Sequence, residues 1–354
     1  MNAHSTVQVS NIFSSTPRRI RRHVERTLQA GLVPFIKSSP GMGKSSIVKQ
    51  IADDWNLQLI DLRLSTAAPE DMTGLPRFME DGTCRFFPFS DLFPIEGTPL
   101  PEGKDGWLLF LDEMNSAPKS VEAAAYKLVL DRMTGMHKLH ERVLIAAAGN
   151  LETDKAIVNK QSTAMKSRVV HLKMELSHDE WLHDVAYAQN YDERIIAYLN
   201  YKTGNLMNFD PDSKEETFDC PRTWEFVNRL LGTVGVLDDE DASLLAGTIS
   251  SGTAVDFVQF TKVYATMVNV VDIVRDPLGV AVPTDNATKY AVVSHMMDKA
   301  DKDNFPALTK YIERFDLTFK ILFFRSVLTR QPQLRNTPEF GEVMVKMSQY
   351  LHGY

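Results

Sequence analysis

Residues 33 to 46 constrain the fold of this chain more than any other stretch, and they read V-P-F-I-K-S-S-P-G-M-G-K-S-S. The apolar run from Val33 to Ile36 is typical of a short buried strand, and apolar side chains recur at helical spacing after Lys44. The glycines between these segments allow a tight turn whose backbone N–H groups point at phosphate oxygens. The stretch therefore predicts a phosphate-binding loop and helix start made of Pro40, Gly41, Met42, Gly43, Lys44, Ser45 and Ser46.

Two side chains of this loop have distinct expected roles. The Lys44 ammonium group reaches the β- and γ-phosphates of a nucleotide, and the Ser45 hydroxyl group is a ligand of Mg²⁺. The partial positive charge of the helix N-terminus adds to the attraction. Ser38 stands where the G-x-x-x-x-G-K-[ST] pattern has its first glycine. A chance G-K-S turn between a strand and a helix is the alternative interpretation of the same residues.

An acidic pair follows a second buried strand. The run Trp107 to Leu111, W-L-L-F-L, is continuously apolar, as expected of a strand covered on both faces of a parallel sheet. Asp112 and Glu113 follow at its carboxyl end, the edge where open α/β sheets bind ligands. We expect Asp112 to hold Mg²⁺ and Glu113 to orient and polarise an attacking water molecule. Together with the phosphate loop, this pair predicts nucleotide hydrolysis.

Two further predicted strands carry polar residues at their ends. The run Val143 to Gly149 ends at Asn150, which either hydrogen-bonds the γ-phosphate or the attacking water, or simply forms a turn. Arg168 stands at the entrance of strand 168–172, and its planar, permanently charged guanidinium group suits the charge of a phosphoryl transition state. Supplied by a neighbouring subunit, such an arginine is worth roughly 10³ to 10⁵ in rate. Arg132 is the second candidate for this role.

A hairpin is predicted between strands 57–64 and 107–111. Residues 67–106 carry many prolines and glycines and have no long helical period. Within them, T-G-L-P-R-F-M-E-D-G-T-C-R-F-F-P-F indicates a hairpin that turns at residues 80–82. Aromatic side chains in such a hairpin either grip a client molecule or, more often, pack against its own core. The aromatic residues concerned are Phe86, Phe87 and Phe89.

The segment before the phosphate loop predicts an amphipathic helix that starts at Thr16-Pro17. Its apolar residues Ile20, Val24 and Leu28 share one face. The helix is also rich in arginine, which indicates a patch for nucleic acid or lipid, or a solvated face that pairs with an acidic neighbouring subunit. The acidic character of the whole chain favours the second interpretation. The arginines are Arg18, Arg19, Arg21, Arg22 and Arg26.

Net charge and cysteine content restrict the compartment and the partners. The chain has 354 residues and a formal net charge of −7, which argues against a general nucleic-acid-binding surface. Its two cysteines, Cys84 and Cys220, lack metal-ligand spacing and indicate a reducing compartment. Residues 1–10 show no targeting signal, and no apolar run is long enough to cross a membrane. We therefore expect a cytoplasmic protein that does not bind a membrane.

The second half of the chain has a different pattern. From Glu175 onward the strand patterns stop and helical patterns follow. Pro221 predicts a helix start that projects Arg222, which either serves the nucleotide or is a surface charge. The prolines and glycine of residues 276–285 predict a linker. Residues 288–354 are predicted to form amphipathic helices with a buried aromatic stripe.

Four elements occur in chain order: S-S-P-G-M-G-K-S-S, W-L-L-F-L-D-E-M-N-S-A-P, A-A-A-G-N and S-R-V-V-H-L. Together they resemble the AAA+ ATPases, and D-E-M-N-S-A-P is similar to the D-E-x-N-R-A-P segment of the MoxR-like branch. The predicted hairpin resembles the insertion in helix 2 that defines the wider clade, and P-R-T-W resembles the sensor-2 position. The resemblance extends over roughly residues 12 to 260.

The resemblance implies a role for each matching residue. This chain departs from the family at Ser38, where a glycine is usual, and at Ser116, where MoxR-like proteins often have arginine. The loop before Asn150 is also shorter than usual. The implied counterparts are Lys44 and Ser45 for Walker A, Asp112 and Glu113 for Walker B, Asn150 for sensor 1, Arg168 for the arginine finger supplied in trans and Arg222 for sensor 2.

The resemblance also implies cofactors and partners. These are ATP and Mg²⁺, a homo-oligomeric ring expected to be a hexamer, and a von Willebrand factor A-type protein as partner. Such ATPases resemble chaperone-like machines that remodel other proteins. The alternatives are a nucleic-acid-associated or restriction-type motor that uses the arginine-rich helix, and a binding module that has lost turnover.

We therefore expect an α/β fold followed by helical segments. Residues 1–175 form an AAA+ P-loop core with a five-stranded parallel sheet, and the insert hairpin lies within residues 67–106. Residues 176–262 form an all-α lid, and residues 263–354 form a C-terminal helical region.

Overall fold

A computed structural model describes residues 14–154, 163–234 and 236–351. The chain divides into two compact units, Met1–Ser177 and His178–Tyr354. The first unit contains a parallel sheet with helices, and the described part of the second unit is mainly helical. This confirms the expected α/β core followed by helical segments.

The strands and helices of the first unit are numbered in chain order. The strands are β1 (Ser14–Ser15), β2 (Val33–Lys37), β3 (Gln58–Arg63), β4 (Leu75–Phe78), β5 (Cys84–Phe87), β6 (Trp107–Asp112), β7 (Met133–Thr134), β8 (His137–Lys138), β9 (Val143–Gly149) and β10 (Val169–Met174). The helices are α1 (Pro17–Gln29), α2 (Lys44–Asp54), α3 (Pro69–Thr73), α4 (Lys119–Asp131) and α5 (Thr163–Lys166). The hairpin expected to turn at residues 80–82 is formed by β4 and β5.

Six strands form one parallel sheet in the order β1-β10-β2-β9-β6-β3. The sequence predicted a sheet of five strands, so that prediction was one strand short. The additional strand is β1, in which Ser14 and Ser15 pair with Lys173 and Met174 of β10. Two serines carry no apolar pattern, so this strand depends on the neighbouring edge of β10 and not on a local preference.

Helices cover both faces of the sheet, and its strand β6 is buried along its whole length. Leu108 and Phe110 belong to an apolar cluster with side chains of α1 and α2, such as Val24. Leu109 belongs to a second cluster with side chains of α4, such as Leu128. Successive residues alternate between the faces, which explains the continuous apolar run. The parallel pairing brings the carboxyl ends of β2, β6 and β9 to one edge, called the site edge below.

The second unit is built mainly from helices. They are α6 (His178–Trp181), α7 (Glu193–Tyr201), α8 (Pro221–Leu231), α9 (Asp241–Ala246), α10 (Ser251–Thr266), α11 (Val270–Arg275), α12 (Asn286–Lys299), α13 (Phe305–Ile312), α14 (Leu317–Arg330) and α15 (Pro338–Leu351). The predicted linker is the non-helical segment between α11 and α12. The expected aromatic stripe is buried in the core of this unit, where Phe315, Phe319 and Phe323 belong to one cluster.

Two expectations about targeting and membranes have different outcomes. The expected absence of a targeting signal concerns residues 1–10, which lie outside the described residues. Within the described part of the chain, none of the helices is both long enough and apolar enough to cross a membrane.

The double-sided burial of β6 predicts a large difference between two leucine substitutions. Leu109 is fully buried, whereas Leu32 is 53% exposed. Leu109→Ala leaves a cavity in the core, so we expect it to lower the free energy of unfolding of the first unit by about 2 to 5 kcal/mol. Leu32→Ala should change it by no more than about 0.5 kcal/mol. A urea titration with hydrogen exchange measured at β6 and β9 tests this, and equal effects of the two variants contradict the burial described.

Candidate functional site

The predicted phosphate loop is the turn from Ser38 to Gly43, between β2 and α2. Gly41 and Gly43 have φ values of 74° and 86°, in the left-handed region that strains any residue with a side chain. Gly43 is also the N-cap of α2 and offers no side chain to cap its first turn. A Cβ atom built on Gly43 would meet nothing within 4 Å. The space in front of the helix N-terminus is therefore open to an anion.

Lys44 points back into the loop from the first turn of α2, and it is only 9% exposed. Its Nζ donates to the carbonyl oxygen of Ser38 at 3.0 Å and to that of Ser39 at 3.2 Å. It also donates to the Ser38 Oγ at 3.2 Å and to the Asn150 Oδ1 at 3.3 Å. The serine that replaces the usual glycine is thus a direct partner of the lysine, which explains how the loop accommodates this departure.

Ser45 and Asp112 place two oxygen atoms side by side at the site edge. The Ser45 Oγ donates to the Asp112 Oδ2 at 3.2 Å, and Asp112 is 6% exposed. The other carboxylate oxygen, Oδ1, accepts from the Glu113 N–H at 2.8 Å. Desolvation first, and the negative charge of Asp112 second, raise the pKa of Asp61 on the adjacent strand β3. A hydroxyl group and a carboxylate beside an anion-binding loop fit Mg²⁺, so Ser45 and Asp112 would hold this ion.

Glu113 has a backbone conformation that is unusual for a residue with a side chain. Its φ is 53° and its ψ is 34°, in the left-handed region. The carboxylate accepts a hydrogen bond from the Ser65 Oγ, and its Oε1 lies 3.9 Å from the Arg63 Nε. Strained residues of this kind persist where surrounding contacts determine their position, and they cluster at functional sites. The end of β3 and the residues after it therefore hold the predicted water-activating carboxylate.

Asn115, which the sequence analysis did not single out, fixes the position of Asn150. The Asn115 Nδ2 donates to the carbonyl oxygen of Asn150 at 2.8 Å, and the Asn150 N–H donates to the Asn115 Oδ1 at 3.1 Å. Asn115 is 3% exposed, so both bonds are shielded from water. A Cβ on Gly149 would lie 2.1 Å from the Asn115 Oδ1, so only glycine fits there. The asparagine of D-E-M-N-S-A-P was the available sequence signal.

The structure brings the loop, Ser45, Asp112, Glu113 and Asn150 together at the site edge, but it places Arg168 elsewhere. Val169 pairs with Val33 and Lys173 pairs with Lys37, at the start of the loop. Arg168 precedes Val169 and therefore lies at the amino end of β10, on the side of the sheet opposite the site edge. Its side chain is exposed. At about 3.3 Å per residue, Arg168 lies more than about 13 Å from Lys173, which pairs beside the loop.

The two other candidate arginines have different environments. The Arg132 guanidinium donates to the carbonyl oxygens of His140, at 3.3 Å, and Val143, at 2.6 Å. Burial lowers the pKa of Arg132, and both hydrogen bonds start from its Nη2. Arg222 is exposed in the first turn of α8, in the second unit. Its expected role at the nucleotide stays a prediction.

Comparisons with known proteins add little to these observations. No protein-family model and no curated protein matches the chain. A provisionally assigned ATPase from Cytophaga hutchinsonii resembles it with a TM-score of 0.35 and 11% identity, covering 94% of this chain and 88% of that chain. Two mutants of RuvB from Thermotoga maritima have TM-scores of 0.33 and 0.32 and 13% identity, covering 92% of this chain and 88% and 87% of theirs. These values are too low to assign a function, which therefore has to come from the residues of the site.

The two hydrogen bonds between Asn115 and Asn150 can be separated by substitution. Asn115→Ala removes both bonds in a buried setting, so we expect the Asn150 amide to exchange its hydrogen faster and the first unit to lose about 1 to 3 kcal/mol of stability. Asn115→Asp keeps the acceptor for the Asn150 N–H but places an oxygen against the Asn150 carbonyl group, so it should also cost stability while the Asn150 amide stays more protected than in the alanine variant. Hydrogen exchange at residues 149–151 measures this. Unchanged exchange in Asn115→Ala would show that Asn115 does not hold this strand end.

Proposed function

We propose that this chain is an AAA+ P-loop ATPase of the MoxR-like kind, which couples ATP hydrolysis in an oligomeric ring to remodelling of a protein partner. The observation that carries the ATPase proposal is the juxtaposition of Lys44, Ser45, Asp112, Glu113 and Asn150 at one edge of a parallel sheet. At the site edge, these side chains supply a cation for phosphate and two oxygen ligands for Mg²⁺. They also supply a carboxylate that can accept a proton and an amide that can form hydrogen bonds.

The chain's own residues divide the work of binding. Backbone N–H groups at the start of α2 and the Lys44 ammonium group hold the phosphates, and Lys44 exchanges loop carbonyls for phosphate oxygens as partners. Ser45 and Asp112 hold Mg²⁺. Bound ATP would supply the γ-phosphoryl group, and bound Mg²⁺ would supply a positive charge that balances its oxygens.

Glu113 is the group that handles the proton. Its carboxylate orients a water molecule and accepts a proton from it at an Oε atom as the water oxygen bonds to the γ-phosphorus and the bond to the ADP oxygen breaks. The contacts from Ser65 and Arg63 set the direction of this carboxylate. Asn150, clasped by Asn115, presents its amide to the same space. Preorganisation of this kind lowers the barrier because no reorientation is needed during the reaction.

The position of Arg168 supports a ring. An arginine exposed at the edge opposite the phosphate loop cannot serve its own site, but it can complete the site of a neighbouring copy. We propose a hexamer, with Arg222 of the second unit as the sensor-2 residue and a von Willebrand factor A-type protein as partner. The two free cysteines, one exposed and one buried, fit a reducing compartment such as the cytoplasm.

A nucleic-acid motor is the second candidate, because Arg19, Arg22 and Arg26 are exposed on α1. They recur every three or four residues and so form one basic stripe. The net charge of −7 favours a protein partner over a polyanion.

Replacing Glu113 with glutamine separates binding from hydrolysis. Glu113→Gln keeps the shape and hydrogen-bonding capacity of the side chain but cannot accept the proton, so we expect kcat for ATP to fall by about 10² to 10⁴ while ATP still binds. Lys44→Ala is the matched control, and it should lose ATP binding itself. Isothermal titration with MgATP and a phosphate-release assay measure the two properties. Normal turnover by Glu113→Gln would remove the role assigned to this carboxylate.

Mixing two inactive variants tests whether Arg168 acts in trans. Lys44→Ala subunits cannot bind ATP but carry Arg168, whereas Arg168→Ala subunits bind ATP and lack the finger. Each variant alone should lose about 10³-fold or more in turnover, and mixed rings should recover activity because one subunit completes the site of the next. Steady-state ATPase measurements across mixing ratios show this.

Arg132→Ala is the control for the mixing experiment, since Arg132 already bonds carbonyl groups of its own chain. Assembled Arg132→Ala should hydrolyse ATP without help from a second variant. A mixture as inactive as its components would contradict the trans role of Arg168.

A further inference from the structure

The hairpin of β4 and β5, residues 75–87, is called the ribbon here, and its two strands are exposed apart from the half-buried Phe87. Leu75 pairs with Phe87, Pro76 with Phe86, Arg77 with Arg85, and Phe78 with Cys84. Side chains alternate between faces along each strand. One face therefore carries Arg77 and Arg85 beside Leu75 and Phe87, and the other face carries Pro76, Phe78, Cys84 and Phe86.

The basic face contains an unfavourable arrangement. Arg77 and Arg85 lie directly opposite each other, and like charges in this relation destabilise a strand pair. Among the described residues, neither arginine forms an ion pair with an acidic side chain. Arg77 is held over the Phe87 ring, with its Cζ 5.8 Å from the ring centroid. Two adjacent cations that form no ion pair are complementary to an anionic group from another molecule.

The other face of the ribbon is apolar and open to solvent. Phe78 is 82% exposed and Phe86 is 49% exposed. The commoner expectation, that Phe86, Phe87 and Phe89 pack against the hairpin's own core, is wrong for Phe86 and for Phe89, which is 38% exposed, whereas Phe87 is half-buried. Exposed aromatic side chains of this size are typical of a binding surface.

The two ends of the ribbon approach each other closely at its base, and this base also contacts β8. A Cβ on Gly74 would lie 1.9 Å from the Phe87 carbonyl oxygen, and Gly74 has a φ of 84°. The His137 Nε2 lies 2.9 Å from the Phe86 carbonyl oxygen, and the His137 ring lies 5.5 Å from that of Phe87. The ribbon is therefore anchored at its base, while its two faces are presented to solvent.

We propose that the ribbon binds an acidic polypeptide segment whose carboxylates lie against Arg77 and Arg85 and whose apolar side chains cover Phe78 and Phe86. This deepens the proposed function, on which it rests, by stating the chemistry of the protein that is remodelled. Glu80 and Asp81 at the ribbon's turn balance the two arginines, so the ribbon has no net positive charge. Nucleic acid, with its uniform density of negative charge, would meet these carboxylates, whereas a peptide with a few acidic residues beside apolar ones fits both faces.

Defined peptides test this surface on the full-length protein. The probe is a fluorescein-labelled peptide of alternating glutamate and phenylalanine with solubilising ends, and binding is followed by anisotropy. We expect it to bind, and we expect weaker binding at higher salt. The same peptide with lysine for glutamate, a glutamate-serine peptide and a single-stranded oligonucleotide should each bind at least about tenfold more weakly. Equal or tighter binding of the lysine peptide or the oligonucleotide overturns the proposal.

Substitutions then assign the binding to the ribbon. The double variant Arg77→Ala/Arg85→Ala and the variant Phe78→Ala should each weaken peptide binding about tenfold or more. The matched control is Arg19→Ala/Arg26→Ala, which removes two exposed arginines from α1 and should bind the peptide normally. The free energy of unfolding should change little, because the double variant removes the repulsion between the arginines together with the contact of Arg77 with the Phe87 ring. Unchanged peptide binding in Arg77→Ala/Arg85→Ala overturns the proposal.

A native cysteine reports where the peptide lies. Cys84 is exposed on the apolar face of the ribbon, and Cys220 is buried. Bound peptide should slow the alkylation of Cys84 by iodoacetamide, and binding without such protection contradicts the location.

The proposal for the ribbon and the proposal of ATPase activity can fail independently of each other. ATP turnover without binding of the acidic peptide overturns only this inference, whereas peptide binding without any ATP turnover overturns only the ATPase function. Arg77→Ala/Arg85→Ala should keep the basal turnover rate.

Discussion

The two hydrogen bonds between the Asn115 side chain and the backbone of Asn150 are the interaction on which the site depends most. They connect the turn after β6 to the end of β9, two strands that are neighbours in the sheet and distant in the chain. The bonds are buried, so breaking them would leave a polar side chain and two backbone groups without partners. By holding these two strand ends, they keep Asp112, Glu113 and Asn150 at fixed separations, and any reaction at this edge relies on that spacing.

The charges at the site edge are balanced through contacts that a ligand can replace. Lys44 is nearly buried, and its ammonium group is satisfied by two carbonyl oxygens, a hydroxyl group and an amide oxygen. A buried cation needs such partners, since desolvation without them is costly. Each of these partners is neutral, so a phosphate oxygen carrying negative charge is a stronger acceptor. Asp112 likewise has a hydroxyl group as its neighbour, which a divalent cation can join.

Two other parts of the first unit bear on the proposed assembly and partner. Arg168 is exposed at the amino end of β10, on the side of the sheet opposite the site edge. The ribbon carries two opposed arginines on one face and the exposed side chains of Phe78 and Phe86 on the other. The segment that contacts Glu113, from Arg63 to Ser65, continues through α3 into the ribbon. The carboxylate proposed to activate water and the surface proposed for the protein partner are therefore separated by one short helix. A second copy and a partner protein together would explain both features.

The sequence alone was sufficient to locate the strands of the core, the phosphate loop and the strand ends at Asp112 and Asn150. These are local patterns: an apolar run buried on both faces is followed at once by polar or glycine residues, and each can be recognised without its neighbours. The strand β1 could not be predicted, because two serines become a strand only through pairing with β10. The exposure of Phe78 and Phe86 was also undetermined, because an aromatic hairpin can pack inward or remain open with the same local pattern.

Only the tertiary structure showed which distant residues meet. It showed that Ser38 is a hydrogen-bond partner of Lys44. It showed that Ser65 and Arg63 contact Glu113. It also showed that the Asn115 side chain hydrogen-bonds the backbone of Asn150. It also placed Arg168 away from its own phosphate loop. The physical reason is that strand order and register decide these contacts, and both depend on interactions between segments that are tens of residues apart. A local pattern of apolar and polar residues determines what each segment becomes, but not which other segment lies beside it.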